Sequence, residues 1–460
     1  MRKAHSVFFF ASAALLSLAC SSASNPTAPA SDGGALTPDG GGAPEEAGTV
    51  PSTCAAATKG PTTHGGSVMT DETWTADASP HILPYDTGIY AKVTLEPCAI
   101  VLIAPKAQVT VRPSGALVGE GTASTRISIR ARDEGKPFSN IRNVGGAVQL
   151  TYATIEGGGD PLSTQPYLTG MLVGQVNDLA KPDFALKNVI VRGSMSNGIV
   201  LTGDGHFSDD SGDLTVTGSA QFPISTFPRA VGSIPSGTFT GNAHDQILLP
   251  GSGGPEDIIT DQTMHNRGVP YQVGSPNDSG QLRVAKGSGA VATLTIEAGV
   301  TVRFKKGGVF EIDSTSSALP ATGALIAHGT AANPITFTSA EAAPAPADWL
   351  GLTFGGVPDA RDVADHIVVE YAGLPSSGGS LSCALGMREH AVHFSGGQPA
   401  SAFITRSTIA HSTNGINSGW RGTPVDFTLT NTFDDVPGCK LTNPPDANNS
   451  CAGRPPCAAP

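Results

Sequence analysis

The residues best suited to chemistry lie in one short run, Gly203-Asp204-Gly205-His206-Phe207-Ser208-Asp209-Asp210. Carboxylates and an imidazole in one loop are groups that can act as general acid and base. Asp204, Asp209, Asp210 and Asp213 also offer the hard oxygen ligands that calcium takes, though without EF-hand spacing. The glycines and the Ser211-Gly212 that follow are turn formers, so the run reads first as a solvated turn, with Asp204, His206, Asp209 and Asp210 as its candidates. Arg126, Arg130 and Arg132 fall on one side of an extended chain, because successive side chains alternate. They are expected to form an outward basic stripe, with a seat for an acidic sugar as the rival reading. Glu156 and Glu370, His244 beside Asp245, and His265 are expected at the surface. No Gly-x-Ser-x-Gly, Walker loop or dinucleotide fingerprint occurs in a strand-to-helix setting. No catalytic residue, metal or cofactor is therefore assigned, and calcium is the one ion these side chains would suit.

The elements that must position these residues are short strands. Leu294-Thr295-Ile296-Glu297, Val300 to Phe304, Phe310 to Asp313, Ile335 to Thr338 and Leu352 to Phe354 alternate apolar and polar, bounded by Gly, Pro, Asn or Asp. No apolar recurrence at three and four lasts a dozen residues. Gly (57) and Pro (36) are abundant and charged residues make up only 14% of the chain, which argues against helical bundles and coiled coils. A net charge of −12 argues against nucleic acid as a partner.

The strands are duplicated. Gly115-Ala116-Leu117, Gly121-Thr122 and Ile127-Ser128-Ile129 recur at an offset of 208 as Gly323-Ala324-Leu325, Gly329-Thr330 and Ile335-Thr336-Phe337. Val93 to Glu96 matches Leu294 to Glu297 at 201, Ile155-Glu156 matches Val369-Glu370 at 214, and Asn197-Gly198-Ile199 matches Asn414-Gly415-Ile416 at 217. Drift of this kind places insertions in turns and leaves the strands constrained. Within each half, similar strands return every twenty-odd residues, the mark of a solenoid whose units bury their apolar faces only by stacking. The Asn-bearing ends of each half are expected to be turns in which Asn tolerates a left-handed backbone. The segments Tyr85 to Tyr90 and Val269 to Val273 are expected to cap the two halves.

The run from Leu294 to Phe354, with its earlier copy from Val93 to Ile129, resembles right-handed parallel β-helix proteins of the pectin-lyase-like class. The resemblance implies an all-β, internally duplicated coil of three parallel sheets around an apolar lumen. The expected divisions are a first half over 66–213, a linking unit over 214–257, a second half over 258–440 and an irregular tail over 441–460. Galacturonan hydrolases on this fold carry a double Asp before a Gly-His on successive coils. Here both lie in one loop in reversed order, and the Arg-Ile-Lys motif is absent. The pectate-lyase Asp-His and Arg-Pro motifs are absent as well. Such folds bind sugar along a sheet, often through aromatics, and Trp74, Trp349 and Trp420 are the large platforms available. Two functions follow as expectations: a non-catalytic surface scaffold or glycan-binding, adhesive module, or an extracellular polysaccharide lyase or glycoside hydrolase.

The amino terminus reads as an address. Arg2 and Lys3 precede an apolar stretch from Val7 to Leu18, which is an export signal over 1–19. Leu16-Ser17-Leu18-Ala19-Cys20 resembles the lipobox of bacterial lipoproteins, which implies lipidation of Cys20. Ordinary cleavage after Ala19 is the alternative, giving a secreted protein. Ser21 is similar to the residue that sends such lipoproteins to the outer membrane of a Gram-negative cell. Residues 20–65, rich in Pro, Gly and Ser, read as a flexible tether. With Cys20 set aside, Cys54, Cys98, Cys383, Cys439, Cys451 and Cys457 are an even set suited to disulfides. Proximity favours Cys54 with Cys98 and pairing among the last four. The membrane, through the lipid, and polysaccharide are the expected partners.

Overall fold

The structure, a computed structural model, describes residues 53–161, 169–176, 178, 180–251, 257–275, 278–285, 290–313, 319–375, 382–383 and 389–458. Cys20, the export signal and the tether as far as residue 52 lie outside them. Short strands succeed one another with few interruptions, and those from successive turns pair in parallel, as in Val109–Val111 with Ile141–Asn143. A thirteen-stranded sheet runs from Thr87–Ile89 to Thr432–Asp434 along the whole stack. In the first part it is joined by an eight-stranded sheet, Thr62–Thr63 to Gly237–Thr238, and a five-stranded sheet, Glu72–Trp74 to Phe184–Lys187. Two five-stranded sheets replace these in the second part, Gln262–Met264 to Ile404–Thr405 and Gln281–Val284 to Ile416–Ser418. The chain is thus a parallel β-helix, and the right-handed sense follows the rule for parallel crossovers.

Alternation makes the lumen. In the long sheet Val109, Ile141, Leu172, Ile199, Ile224, Ile247, Tyr271, Val302, Phe337, Val369 and Ile409 stand in register, one per turn, and all are buried. Each rung removes a branched or aromatic side chain from water, about 1.5–3 kcal/mol apiece before chain entropy is set against it. Corners between sheets are often single residues in the left-handed region. Tyr152 (φ 49), Asn188 (φ 54) and Asp213 (φ 51) occupy one corner on successive turns, and Tyr371 (φ 59), His411 (φ 47) and Asp435 (φ 48) another.

Several expectations change here. The long sheet passes through the segment expected to link two helices, since Ile224–Ser225 and Ile247–Leu249 are two of its strands. Tyr271–Val273, expected in a cap, is a middle strand of that sheet, paired on both sides. The expected tether boundary at residue 65 falls inside the coil, because Thr62–Thr63 pairs with His81–Ile82. Asn197 and Asn414 are not left-handed turn residues. Each bridges turns: Asn197 Nδ2 donates to Thr169 O at 2.9 Å and its Oδ1 accepts from Phe222 N at 3.2 Å. Asn414 Nδ2 donates to Glu389 O at 2.7 Å and its Oδ1 accepts from Cys439 N at 2.9 Å.

The duplicated sequences also sit on different faces. Ala116–Glu120 is the first strand after the long sheet, whereas its copy Gly323–His328 is the second. Ile127–Ala131 belongs to the eight-stranded sheet, and its copy Ile335–Ser339 to the long one. The copies are one third of a turn out of phase. Alternation specifies inside against outside, and it leaves free which of three equivalent faces a strand takes.

Disulfides close both ends. Cys54 bonds Cys98, Cys383 bonds Cys451 and Cys439 bonds Cys457. At the carboxyl end Leu441 extends the ladder beside Ile416, and Thr442 pairs antiparallel with Cys457, covering that sheet edge.

Candidate functional site

The acidic run begins with Gly203, in the left-handed region at φ 63, and turns back over the coil. Beneath it Asp183 is fully buried and accepts the backbone N–H of Val176 at 3.1 Å and of His206 at 3.2 Å. Burial pushes its carboxyl up to about 7 against the pull of those donors. Gly205 is required by this contact, for a Cβ there would lie 2.6 Å from Asp183 Oδ2. His206 Nδ1 lies 3.0 Å from the carbonyl of Asp204, which obliges that nitrogen to carry the proton. Asp204 itself is committed: Arg229 Nη1, from the short 3-10 helix Pro228–Ser233, donates to its Oδ1 at 2.7 Å.

The loop divides two grooves. Asp204, His206 and Asp209 border one of about 430 Å³, with Arg229, Asp261 and His265 opposite. Asp210 and Ser208 border a second, of about 260 Å³, on the outward face of the first five-stranded sheet. Its floor is Val118, Gln149, Ala185 and Ser208, and Glu120, Thr151, Lys187 and Asp210 stand beside it. Register makes the floor, since Val118 faces Gln149 and Gln149 faces Ala185 on successive strands. Sequence reasoning found Asp210 and missed Glu120, Gln149 and Lys187. They are far apart along the chain and meet only by stacking. Asp183 gave no signal beyond a Pro neighbour.

The three arginines do not form one stripe. Arg126 turns inward, donating to Ala153 O at 3.3 Å and Asn188 O at 2.8 Å beneath the Tyr152 ring. Arg130 and Arg132 border a third groove of about 510 Å³ with Lys136 and Glu156. Arg132 holds Asp133 at 2.9 and 3.1 Å, and Arg192 holds Glu156 at 2.9 Å. Glu156 and Glu370 lie on different sheets and make no common site. His244 stacks on Phe222, Asp245 accepts from the backbone of Gly241 and Asn242, and His265 pairs with Glu297 at 2.7 Å.

The aspartates weighed for calcium are dispersed: Asp204 pairs with Arg229, and Asp213 is a left-handed corner residue. Among the described residues no three His, Cys, Asp or Glu side chains converge as a metal-holding group. Trp74, Trp349 and Trp420 are all buried, so none is a sugar platform. Their indole N–H groups find partners, Glu72 at 2.8 Å, Glu370 O at 2.7 Å and Thr423 O at 3.0 Å, which lets the rings leave the surface.

No curated protein and no solved structure matches the chain. Residues 269–382 match a family model described as a pectate-lyase like beta helix domain, and the stacked parallel strands make the chain a parallel β-helix.

Proposed function

We propose that this protein is a cell-envelope scaffold that holds a glycan strand along its outward sheet without cleaving it. The observation that carries the reading is the groove over Val118, Gln149, Ala185 and Ser208. Its rungs rise about 4.8 Å apart, Gln149 and Ser208 offer an amide and a hydroxyl from the floor, and Glu120, Thr151, Lys187 and Asp210 stand beside it to meet sugar hydroxyls. Ion pairing of Asp133 with Arg132 also favours binding over chemistry, because a carboxylate held by arginine is a poor proton acceptor. The anchoring proposed is a lipid on Cys20, followed by the Pro/Gly/Ser-rich tether, at the outer membrane or cell surface.

Calorimetric titration of the full chain with soluble plant and bacterial polysaccharides tests the reading. Binding without new reducing ends or unsaturated products is expected, and Gln149→Trp, which fills the floor, should weaken it by about tenfold. No binding to any of them would overturn it. Labelled palmitate should enter the wild type but not Cys20→Ala, and equal labelling of both would remove the anchor.

A second reading has its own observation. Glu120 and Asp210 border the same groove, as an acid and a base of a glycoside hydrolase or lyase would. Product formation abolished by Glu120→Gln and Asp210→Asn would replace the scaffold by an enzyme.

A further inference from the structure

One edge of the second part brings into register a column of polar and titratable side chains that the sequence shows only as scattered residues. His265, Glu297, His328, Asp365 and Thr405 lie at matching strand ends on successive turns. The first two satisfy each other: His265 Nδ1 lies 2.7 Å from Glu297 Oε1, and Glu297 also accepts the N–H of Asn266 at 2.8 Å.

Asp365 is placed differently. Its side chain is only 5% exposed, and Thr405 Oγ1 donates to its Oδ1 at 2.8 Å. Three donors face the other oxygen: Arg406 Nη2 at 2.8 Å, His366 Nδ1 at 3.0 Å and His328 Nδ1 at 3.5 Å. A carboxylate oxygen offers about two lone-pair sites, which Arg406 and His366 take, and His328 stands just beyond them. The surplus donor capacity faces water, with Arg406 60% and His328 64% exposed. His366 (φ 49) and Arg406 (φ 48) are left-handed corner residues on adjacent turns, which aligns the imidazole with the guanidinium along the stack.

We propose that Arg406, His366 and His328 form an acid-favoured binding site for a tetrahedral oxyanion, a phosphate or sulfate group. The buried carboxylate orients all three side chains but neutralises only one of them. With neutral imidazoles the cluster is Arg406 against Asp365 and has no net charge. Protonating both histidines leaves three positive groups against one negative, with Arg406 and His328 largely open to water. Affinity therefore rises as these imidazoles take up protons. On the preceding turn the facing charge is Glu297, occupied by His265 and Asn266 and near Arg267. On the following turn the neighbour is the neutral Asn431, which donates to Ile404 O at 2.8 Å and accepts from Ser407 N at 2.9 Å. The loop after His328 contributes the neutral Thr330 and Asn333. This site does not depend on the glycan reading, which concerns another face.

The test titrates inorganic sulfate, inorganic phosphate and glycerol phosphate into the full chain at about pH 5.5 and about pH 7.5, following the imidazole NMR signals and the heat of binding. Sulfate keeps its charge over this range, so it reads the titration of the site alone. Binding about tenfold tighter at the lower pH is expected, with perturbation of the His328 and His366 signals. Arg406→Gln, His328→Gln and His366→Asn should each weaken it severalfold, and Asn at position 366 tolerates the left-handed corner. His411→Gln removes a similar His–Asp pair on another edge, 3.1 Å apart, and should change nothing. Preference for glycerol phosphate over inorganic phosphate would assign the anion to a larger molecule, and the reverse to the free ion. Affinity independent of pH, or lost equally in His411→Gln, would overturn the proposal.

Discussion

Asp362 is a carboxyl whose surroundings favour a proton. Leu325 N–H donates to its Oδ1 at 2.7 Å, whereas its Oδ2 is buried with no partner among the described residues. Burial pushes the group up to about 7, against about 4 in the unfolded chain. The folded state therefore holds the proton more tightly, and the stability this brings is complete below about pH 4 and lost as pH rises through about 7. In urea denaturation, the wild type should lose about 2–4 kcal/mol relative to Asp362→Asn between those limits and nothing more above them. A difference constant with pH would refute the assignment. Asn197 makes a contrasting case. Asn197→Ala leaves Thr169 O and Phe222 N without their side-chain partner inside the stack and should cost about 2–4 kcal/mol at every pH, read from the denaturation midpoint. The sequence marked Asn197 and its copy Asn414 as special but assigned them to turns. Residue type speaks of local conformation, whereas their role is to join three turns of a coil. Asp183 and Asp362 were silent for the same reason, since burial is a property of neighbours distant in the chain.

Strands were the legible elements, because a period of two is written in consecutive residues. Ile335–Ser339 illustrates how far that goes: Ile335 and Phe337 point into the lumen, and Thr336 and Thr338 point out, as alternation requires. Phe337→Ala should therefore cost about 3–5 kcal/mol, and Thr336→Ala only about 0.5 kcal/mol, in guanidinium denaturation. Comparable losses at both positions would mean the strand is covered on both sides. What alternation could not specify is the face. Phe337 stands in the long sheet beside Val302 and Val369, whereas its counterpart Ile129 stands in the eight-stranded sheet beside Val101 and Ile155. The lumen is lined by aliphatic and aromatic side chains on every face, so a strand satisfies the same burial after rotation by a third of a turn. This is also why Glu156 and Glu370, aligned in sequence, have no common neighbours. Grooves inherit the same freedom. Glu120, Lys187 and Asp210 came together through which turns stack on which, and so did the three donors around Asp365.

A solenoid transmits order from turn to turn, so its weakest points are the ends, where a turn has one neighbour instead of two. At the carboxyl end two disulfides act on that weakness. Cys439–Cys457 closes a short loop of separation 18 and holds Cys457 against Thr442, while Cys383–Cys451 spans 68 residues and fastens the same tail to an earlier turn. Both constrain the unfolded chain, by about 3–4 kcal/mol each in the loop-entropy picture. Their structural effect is local, because Leu441 and Thr442 form the last rung of the sheet that ends at Ile416–Ser418. Replacing Cys439 and Cys457 by Ser should leave the middle of the coil intact and free the end. Amide hydrogen exchange is the measurement that separates these outcomes. Protection at Ile416–Ser418 and Thr432–Asp434 should fall by at least about tenfold, while protection at Ile199 and Ile224, many turns away, stays as in the wild type. Uniform loss along the stack would mean the coil unfolds as one cooperative unit, with the disulfides acting on its global stability and the end turn no weaker than the rest.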